Sequence, residues 1–228
     1  MSCESLQSQI TWVDRLTPSD ITVIASEMPF CYEVKMLILI PFSPSHFSEL
    51  ASWFASEADV VQWGGPTLCF PLLDKQLDEM LVKGQQNPPA RLCWMAEKAG
   101  ALVGHVQLAF DWRNGNAVLS RVALAPKLRR QGLAAPMVAL AIHAAFDFET
   151  IQRLELNVYS WNVPAIKTYQ NLGFQLDGVR RSSALVSGER WDTAIMSLLR
   201  GEWQMPHLLG SERPSCTEPG TASKVGVV

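Results

Sequence analysis

Residues 117–135 read AVLSRVALAPKLRRQGLAA. An apolar run at 117–124 leads into a loop carrying Lys127, Arg129 and Arg130 and one glycine, Gly132. An alanine-rich stretch, 133–148, follows and reads as a long helix. Free backbone N–H groups at a helix start, together with the helix dipole, favour an anion there. Gly132 lets the backbone approach a ligand with no side chain in the way. The chemistry is that of a pyrophosphate cradle. It is not a Walker loop, because no GK[ST] follows, and it lacks the three-glycine dinucleotide pattern. Taken alone, these residues read first as a solvated basic loop capping an ordinary helix.

Outward from this stretch the pattern alternates. Upstream, 101–112 reads as a strand joined to 117–124 by Asn114-Gly115, a strong short hairpin signal. A further strand is read at 91–97, and another at 36–42, MLILIPF. Between these two, Phe47, Leu50, Trp53 and Phe54 repeat at helical spacing within 43–54. A second short helix at 57–63 ends at Gly64-Gly65-Pro66, and a third spans 72–82. Downstream, 153–159 is a strand in which Leu154, Leu156 and Val158 alternate. Residues 162–172 form a helix with Asn162 as cap, Pro164 in its first turn and Gly173 closing it. The segments 179–186 and 190–199 form a closing hairpin about Ser187-Gly188. This order is α+β. It is not the βαβαβ alternation of a doubly wound sheet, which counts against a nicotinamide-binding fold.

Composition narrows the function classes. The chain has 228 residues, 48% of them apolar and 18% charged, which excludes disorder as a whole and fits one domain with appendages. Its net charge of −3 argues against nucleic acid as the main partner. Five scattered cysteines without CxxC spacing and four scattered histidines argue against a metal site and read as free thiols in a reducing compartment. No apolar run is long enough for a transmembrane helix, and no signal peptide is visible, so the expectation is a cytoplasmic protein without a membrane partner. Residues 1–35 read either as a lead-in arm or as a non-native extension preceding a start at Met36. The domain proper is expected at 36–203, and 204–228, rich in Pro and Gly, as a disordered tail.

Two motifs then combine. Arg129-x-x-Gly132-x-Ala134, preceded by Val122-Ala-Leu-Ala-Pro126, resembles the acetyl-CoA signature of the GNAT superfamily of N-acetyltransferases. Thirty residues on, Asn162-x-x-Ala165-x-x-x-Tyr169-x-x-x-Gly173-Phe174 resembles that superfamily's second hallmark, in the same order. The resemblance covers about 36–200. With the closing stretch Gly188-Glu-Arg-Trp-Asp192 and Met196, it looks most like the ribosomal-protein N-terminal acetyltransferase branch.

The resemblance implies a mixed, mostly antiparallel sheet flanked by helices on both faces, splayed between its fourth and fifth strands. It implies acetyl-CoA as cosubstrate, with Val122, Ala123 and Leu124 pairing with the pantetheine arm as an extra strand would. Arg129 belongs to the motif, and Arg130, Gln131, Gly132, Leu133, Ala134 and Ala135 would wrap the pyrophosphate. Ala135 stands where relatives often carry a polar or basic residue, and Pro136 is unusual this near a helix start. Asn162 and Tyr169 are seven residues apart, almost two helical turns, so they share a face with Ala165. The superfamily uses a tyrosine at the Tyr169 position as general acid. A hydroxyl of pKa about 10 can protonate a leaving thiolate of pKa about 8.5. The alternatives are a core aromatic for Tyr169 and a plain helix cap for Asn162.

The amine acceptor must lose a proton before it attacks. Glu155, on the strand face opposite Leu154 and Leu156, is the first candidate base, with a salt-bridged carboxylate as its alternative. Relatives place acceptor-binding loops near the position of Trp63-Gly64-Gly65. Glu57, Asp59, Asp111 and Asp192 could form an acidic rim suited to a cationic amine, or be ordinary surface carboxylates. Trp53, Trp94 and Trp191 are expected in the core. The expected reaction is direct acetyl transfer in a ternary complex to a protein N-terminus or a small-molecule amine. The alternative is an acyl-CoA sensor without turnover. A homodimer built on the closing hairpin is compatible with the sequence.

Overall fold

The computed structural model describes residues 37–204; the expected N-terminal extension, and the expected tail beyond its first residue, lie outside the described residues. Seven strands and five α-helices follow in the order β1 (Leu37–Pro41), α1 (Phe47–Ser52), α2 (Glu57–Gly64), α3 (Asp74–Val82), β2 (Arg91–Lys98), β3 (Ala101–Asp111), β4 (Asn116–Leu124), α4 (Ala134–Phe146), β5 (Arg153–Tyr159), α5 (Val163–Asn171), β6 (Gln175–Val186) and β7 (Glu189–Leu199). The strands form one sheet in the order β1-β2-β3-β4-β5-β7-β6. Every pairing is antiparallel except β4 with β5. This is the mixed α+β architecture that the motif resemblance implies.

Period-two alternation assigns each strand residue to one of two cores. On one face Ala96, Val106, Leu108, Leu119, Leu154 and Leu156 pack with Met137, Val138 and Ile142 of α4. On the other, Met95, the residue before Ala96, packs with Leu50, Trp53, Val60, Trp63, Leu77 and Met80 from α1, α2 and α3. Burying a large aliphatic side chain of this kind contributes about 1.5–3 kcal/mol. The helices therefore cover both faces of the sheet and hold β4 and β5 as a rigid middle.

Several boundaries differ from the sequence reading. The first helix is confined to Phe47–Ser52, because Pro44 opens a separate 3₁₀ turn, Pro44–His46. The strand β6 starts at Gln175, four residues earlier than expected, and its register slips twice against β7. Of the three tryptophans expected inside, Trp53 is fully in the core, whereas Trp94 and Trp191 are half-buried. Trp191 instead packs edge-on against Tyr159 at 4.8 Å.

Candidate active site

A fault in β4 creates the site. Ser120 pairs with Gln107 of β3 and Ala123 with His105, so Arg121 and Val122 face a single residue, Val106. This is a β-bulge, which bends the bulged strand and increases its twist. Arg121 sits at its apex with φ +52°, an uncommon backbone for a residue with a side chain. Beyond it β4 leaves its parallel partner. The two strands pair only from Asn116 with Arg153 to Leu119 with Leu156. Ala123 and Leu124 thus keep their pairing to β3, while Val122, Ala123 and Leu124 meet no strand on the β5 side.

Two side chains pin the bulge. Trp63 Nε1–H and His105 Nδ1–H donate to the Arg121 carbonyl oxygen at 2.7 and 2.8 Å. A carbonyl only accepts, so Nδ1 carries the His105 proton. His105 is fully buried, and burial pushes its pKa down to about 4, keeping it neutral at pH 7.

The splay opens a cleft of about 500 Å³ between β4 and α5. One wall is Val122, Ala123 and Leu124; the other carries Tyr159, Asn162, Ala165 and Tyr169. One end is closed by Arg129, Arg130 and Gly132, then by Leu133, Ala134 and Ala135 at the start of α4. The N–H groups from Arg130 to Ala135 have no acceptor among the described residues. Gly132 holds φ +75°, and a Cβ there would meet no heavy atom within 4 Å, so its open side faces free space. Arg130, at φ +63°, turns the loop just before it. Uncommitted donors at the N-terminus of a 13-residue helix suit a pyrophosphate. Pro136 is the third residue of α4, where its missing N–H would have had no partner in any case. The sequence departure at that position therefore leaves the helix start intact.

The helix α5 presents the other wall. Asn162 Oδ1 accepts from Ala165 N–H at 3.4 Å, so this side chain caps the helix and also lines the cleft. Two turns on, Tyr169 reaches the same cleft with its ring packed edge-on to Phe174 at 5.8 Å. Burial pushes the Tyr169 hydroxyl up to about 12, so it holds its proton at neutral pH.

Two candidate residues stand elsewhere. Gln131 does not line the cleft; its side-chain amide donates to the Lys127 carbonyl at 3.2 Å. Glu155 lies on the same strand face as Asn157 but nearer the start of β5, in the part still paired with β4. It does not line the cleft and faces Arg153 at 3.6 Å, while Arg153 also pairs with Asp177 at 2.6 Å. Alternation fixes the face of a strand residue but not its distance along the strand from the reacting atoms.

The four carboxylates considered for an acidic rim are dispersed in the same way. Asp111 is held by Asn114 in the β3–β4 turn, and Asp192 accepts from the Ser182 N–H. Glu57 faces Ser187. Only Asp59 of the four reaches the cleft lining, and its carboxylate also accepts from Ala55 N–H and the Ser56 hydroxyl at the start of α2.

The sequence reading did not single out Arg91, Arg121 or His105. Beyond the bulge a second hollow of about 480 Å³ adjoins the cleft, sharing Trp63, Arg121, Asn157 and Tyr159 with it. Gly64 and Gly65 form part of its wall, with Arg91, Gln107 and Arg180 among the other lining residues. The one available signal was a lone charged residue inside the mostly apolar VLSRVAL.

Among the described residues no group of His, Cys, Asp or Glu is placed to hold a metal ion, and no helix is long and apolar enough to cross a membrane.

Known proteins resemble this chain in sequence and in fold. The L-amino acid N-acetyltransferase AaaT of Escherichia coli (strain K12) is 26% identical over 103 residues, covering 44% of this chain and 64% of that protein. An uncharacterized N-acetyltransferase, YokL, from the SPbeta prophage of Bacillus subtilis (strain 168) is 26% identical over 112 residues, covering 49% and 63%. The chain thus spans just under two thirds of the length of these curated relatives. The crystal structure of spermidine N-acetyltransferase from Vibrio cholerae in complex with CoA and spermine shares the fold, with a TM-score of 0.62 at 18% identity over 73% of this chain and 96% of that one. Residues 51–174, more than half of the chain, match the family model described as acetyltransferase (GNAT). The chain belongs to the GNAT acetyltransferase family.

Proposed function

We propose that this protein transfers the acetyl group of acetyl-CoA to a primary amine, with both substrates bound at once and the amine attacking directly. The observation that carries the reading is the cleft itself. A run of uncommitted N–H groups, Arg130 to Ala135, lies at one end, a free strand edge along one wall, and a protonated tyrosine on the other.

Each part has a physical task. The backbone of Arg130–Ala135 holds the pyrophosphate, helped by the α4 dipole and by the charge of Arg129. The edge of Val122, Ala123 and Leu124 takes the amide-bearing arm as a further strand would be taken. Asn162 and Ala165 line the opposite wall. The bound cosubstrate supplies an activated acetyl group as a thioester. Tyr169 gives its proton to the sulfur as the carbon–sulfur bond breaks. Its raised pKa keeps that proton in place until a thiolate develops beside it.

With Glu155 off the cleft, the amine's proton is assigned to water in the cleft, Asp59 being the carboxylate on that lining. No nucleophilic Ser or Cys motif supports an acetyl-enzyme step. Two acceptor classes follow from different features. The closing stretch Gly188 to Asp192 supports a protein N-terminus, whereas relatives named for L-amino acids and spermidine support a small-molecule amine. The unpaired thiols of Cys69 and Cys93 agree with a reducing compartment such as the cytoplasm.

Calorimetric titration of acetyl-CoA and CoA tests the reading, using wild type and Gly132→Glu. The position has open space, so the glutamate clashes with no protein atom but places bulk and negative charge where the pyrophosphate would lie. Binding by wild type that is lost in the folded variant supports the cradle. Binding without turnover across a broad amine panel would make the protein an acyl-CoA sensor. Absence of binding by folded wild type would end the acetyltransferase reading.

A further inference from the structure

The hollow beyond the bulge contains more positive charge than the described structure compensates. Arg91 Nε and Arg121 Nη1 are both buried, and neither has a hydrogen-bond partner among the described residues. Neither guanidinium belongs to an ion pair there. A third, Arg180, donates to Asn157 Oδ1 at 2.6 Å on the same wall. No aspartate or glutamate lines this hollow; Asp59 faces the neighbouring cleft only. Arg121 rests over the Trp63 ring, 5.6 Å from its centroid, so the indole that pins the bulge also positions the guanidinium.

A buried, unpaired guanidinium is costly, and two close together are more so. Burial first, and the charge of Arg91 second, hold the Arg121 pKa down at about 10. An incoming anion relieves both penalties. The guanidinium fork matches a carboxylate with two parallel N–H···O bonds. The same field opposes a polycation, whose charges would enter a hollow lined by three arginines. Because Arg121 and Tyr159 belong to both spaces, a small molecule with its anion in the hollow can present its amine in the cleft.

Resting on the acetyl-transfer reading, we infer that the acceptor is a small amine that also carries a carboxylate, an amino acid, with the carboxylate held by Arg121 and Arg91. In the reaction the neutral amine nitrogen forms the new bond to the acetyl carbon, and the carbon–sulfur bond breaks. The sulfur takes the Tyr169 proton, and the ammonium proton leaves to water before attack. The second proton, shed by nitrogen as the amide forms, returns to Tyr169 through water, so the carboxylate and both arginines keep their charges throughout.

The test compares L-amino acids with their own carboxamides and with spermidine, in steady-state kinetics with acetyl-CoA. The acids are expected to exceed the amides in kcat/KM by about 100-fold or more, as befits a site with buried donors built for that group. Arg121→Gln is expected to raise KM for the acids about 100-fold, far more than for the amides, with Arg121→Lys restoring part of the loss. Arg91→Gln should act in the same direction. Calorimetric affinity for acetyl-CoA serves as the control for folding. Amides or spermidine used as well as the acids would overturn the inference, as would equal losses for acids and amides in Arg121→Gln. If acetyl-CoA binds but no amine turns over, thermal melts decide. Protection by millimolar L-amino acids that is lost in Arg121→Gln supports the carboxylate site, and no protection overturns it. Failure to bind acetyl-CoA counts against the acetyl-transfer reading separately.

Discussion

The indole of Trp63, in α2, donates to the backbone carbonyl of Arg121, in β4, at 2.7 Å across 58 residues of sequence. That bond ties the helical face of the molecule to the one peptide where β4 departs from regular pairing. Trp63→Phe keeps an aromatic ring and removes the donor. The carbonyl retains His105, so the loss is one hydrogen bond together with part of the ring's packing, about 1–3 kcal/mol. Urea denaturation should show a lower midpoint with an unchanged slope. Acceptor KM should rise more than acetyl-CoA affinity falls, because the displaced group is Arg121 rather than the cradle. An unchanged midpoint would show that the bulge holds without this bond.

His105 makes the same carbonyl a source of acid sensitivity. Its folded pKa, about 4, lies below the ordinary 6.5. Between those values the unfolded chain binds a proton that the folded chain refuses, so stability rises with pH. The contribution is complete above about pH 6.5 and is lost progressively as pH falls toward 4. Integrated over that window it amounts to roughly 3 kcal/mol. His105→Asn keeps a short amide donor near the carbonyl and removes the titration. Its urea midpoint should change less between pH 7 and pH 5 than that of wild type. Parallel pH dependence in both proteins would assign the acid sensitivity to other groups.

Tyr169→Phe removes the hydroxyl and keeps the ring packed against Phe174. As general acid the hydroxyl should be worth about 10²-fold or more in kcat. Acetyl-CoA affinity and thermal stability should stay close to wild type. Burial holds the Tyr169 proton to about pH 12, so no fall in rate from its loss is expected at or below pH 10. A phenylalanine variant with unchanged kcat would reduce Tyr169 to a wall of the cleft.

Much of this was written in local pattern, and the remainder was not. Leu154, Leu156 and Val158 alternate, and all three are buried. Asn114-Gly115 marked the β3–β4 hairpin, with Gly115 at φ +65°. The two motifs marked both walls of the cleft and its closed end, because short-range spacing on a loop and a helix fixes what those backbones present. Long-range packing decided the rest. Which strand residue sits at the bulge depends on how β3 and β4 register, so Arg121 could not be separated from its neighbours by sequence. Arg91 meets it only through the sheet, and His105 becomes important only because that carbonyl lies above it. Glu155 lies off the cleft for the converse reason: it shares a face with Asn157 but sits nearer the start of β5. The exposed outer strand β6, with Leu176, Val179 and Leu185 in solvent, lacks the alternation that locates a half-buried strand.

Behind the cleft, Gly104 of β3 packs closely against β4 and α4. A Cβ there would lie 2.8 Å from the Ala123 carbonyl oxygen and 2.5 Å from the Met137 sulfur. The methionine end can swing aside, but the carbonyl is backbone of β4, turned toward β3, and cannot give way without moving the strand assigned to the pantetheine arm. Gly104→Ala should therefore push β4 outward at Ala123. The expected cost is about 1–3 kcal/mol, as for other overpacked cores. Acetyl-CoA affinity should fall with it, although residue 104 lies on β3 and not in the cleft lining. Adding Met137→Ala relieves the sulfur clash only. If the double variant regains stability but not affinity, the placement of β4 at Ala123 is what the cosubstrate requires. If affinity returns with stability, the cleft tolerates movement of β4 and the strand-edge contact is not essential.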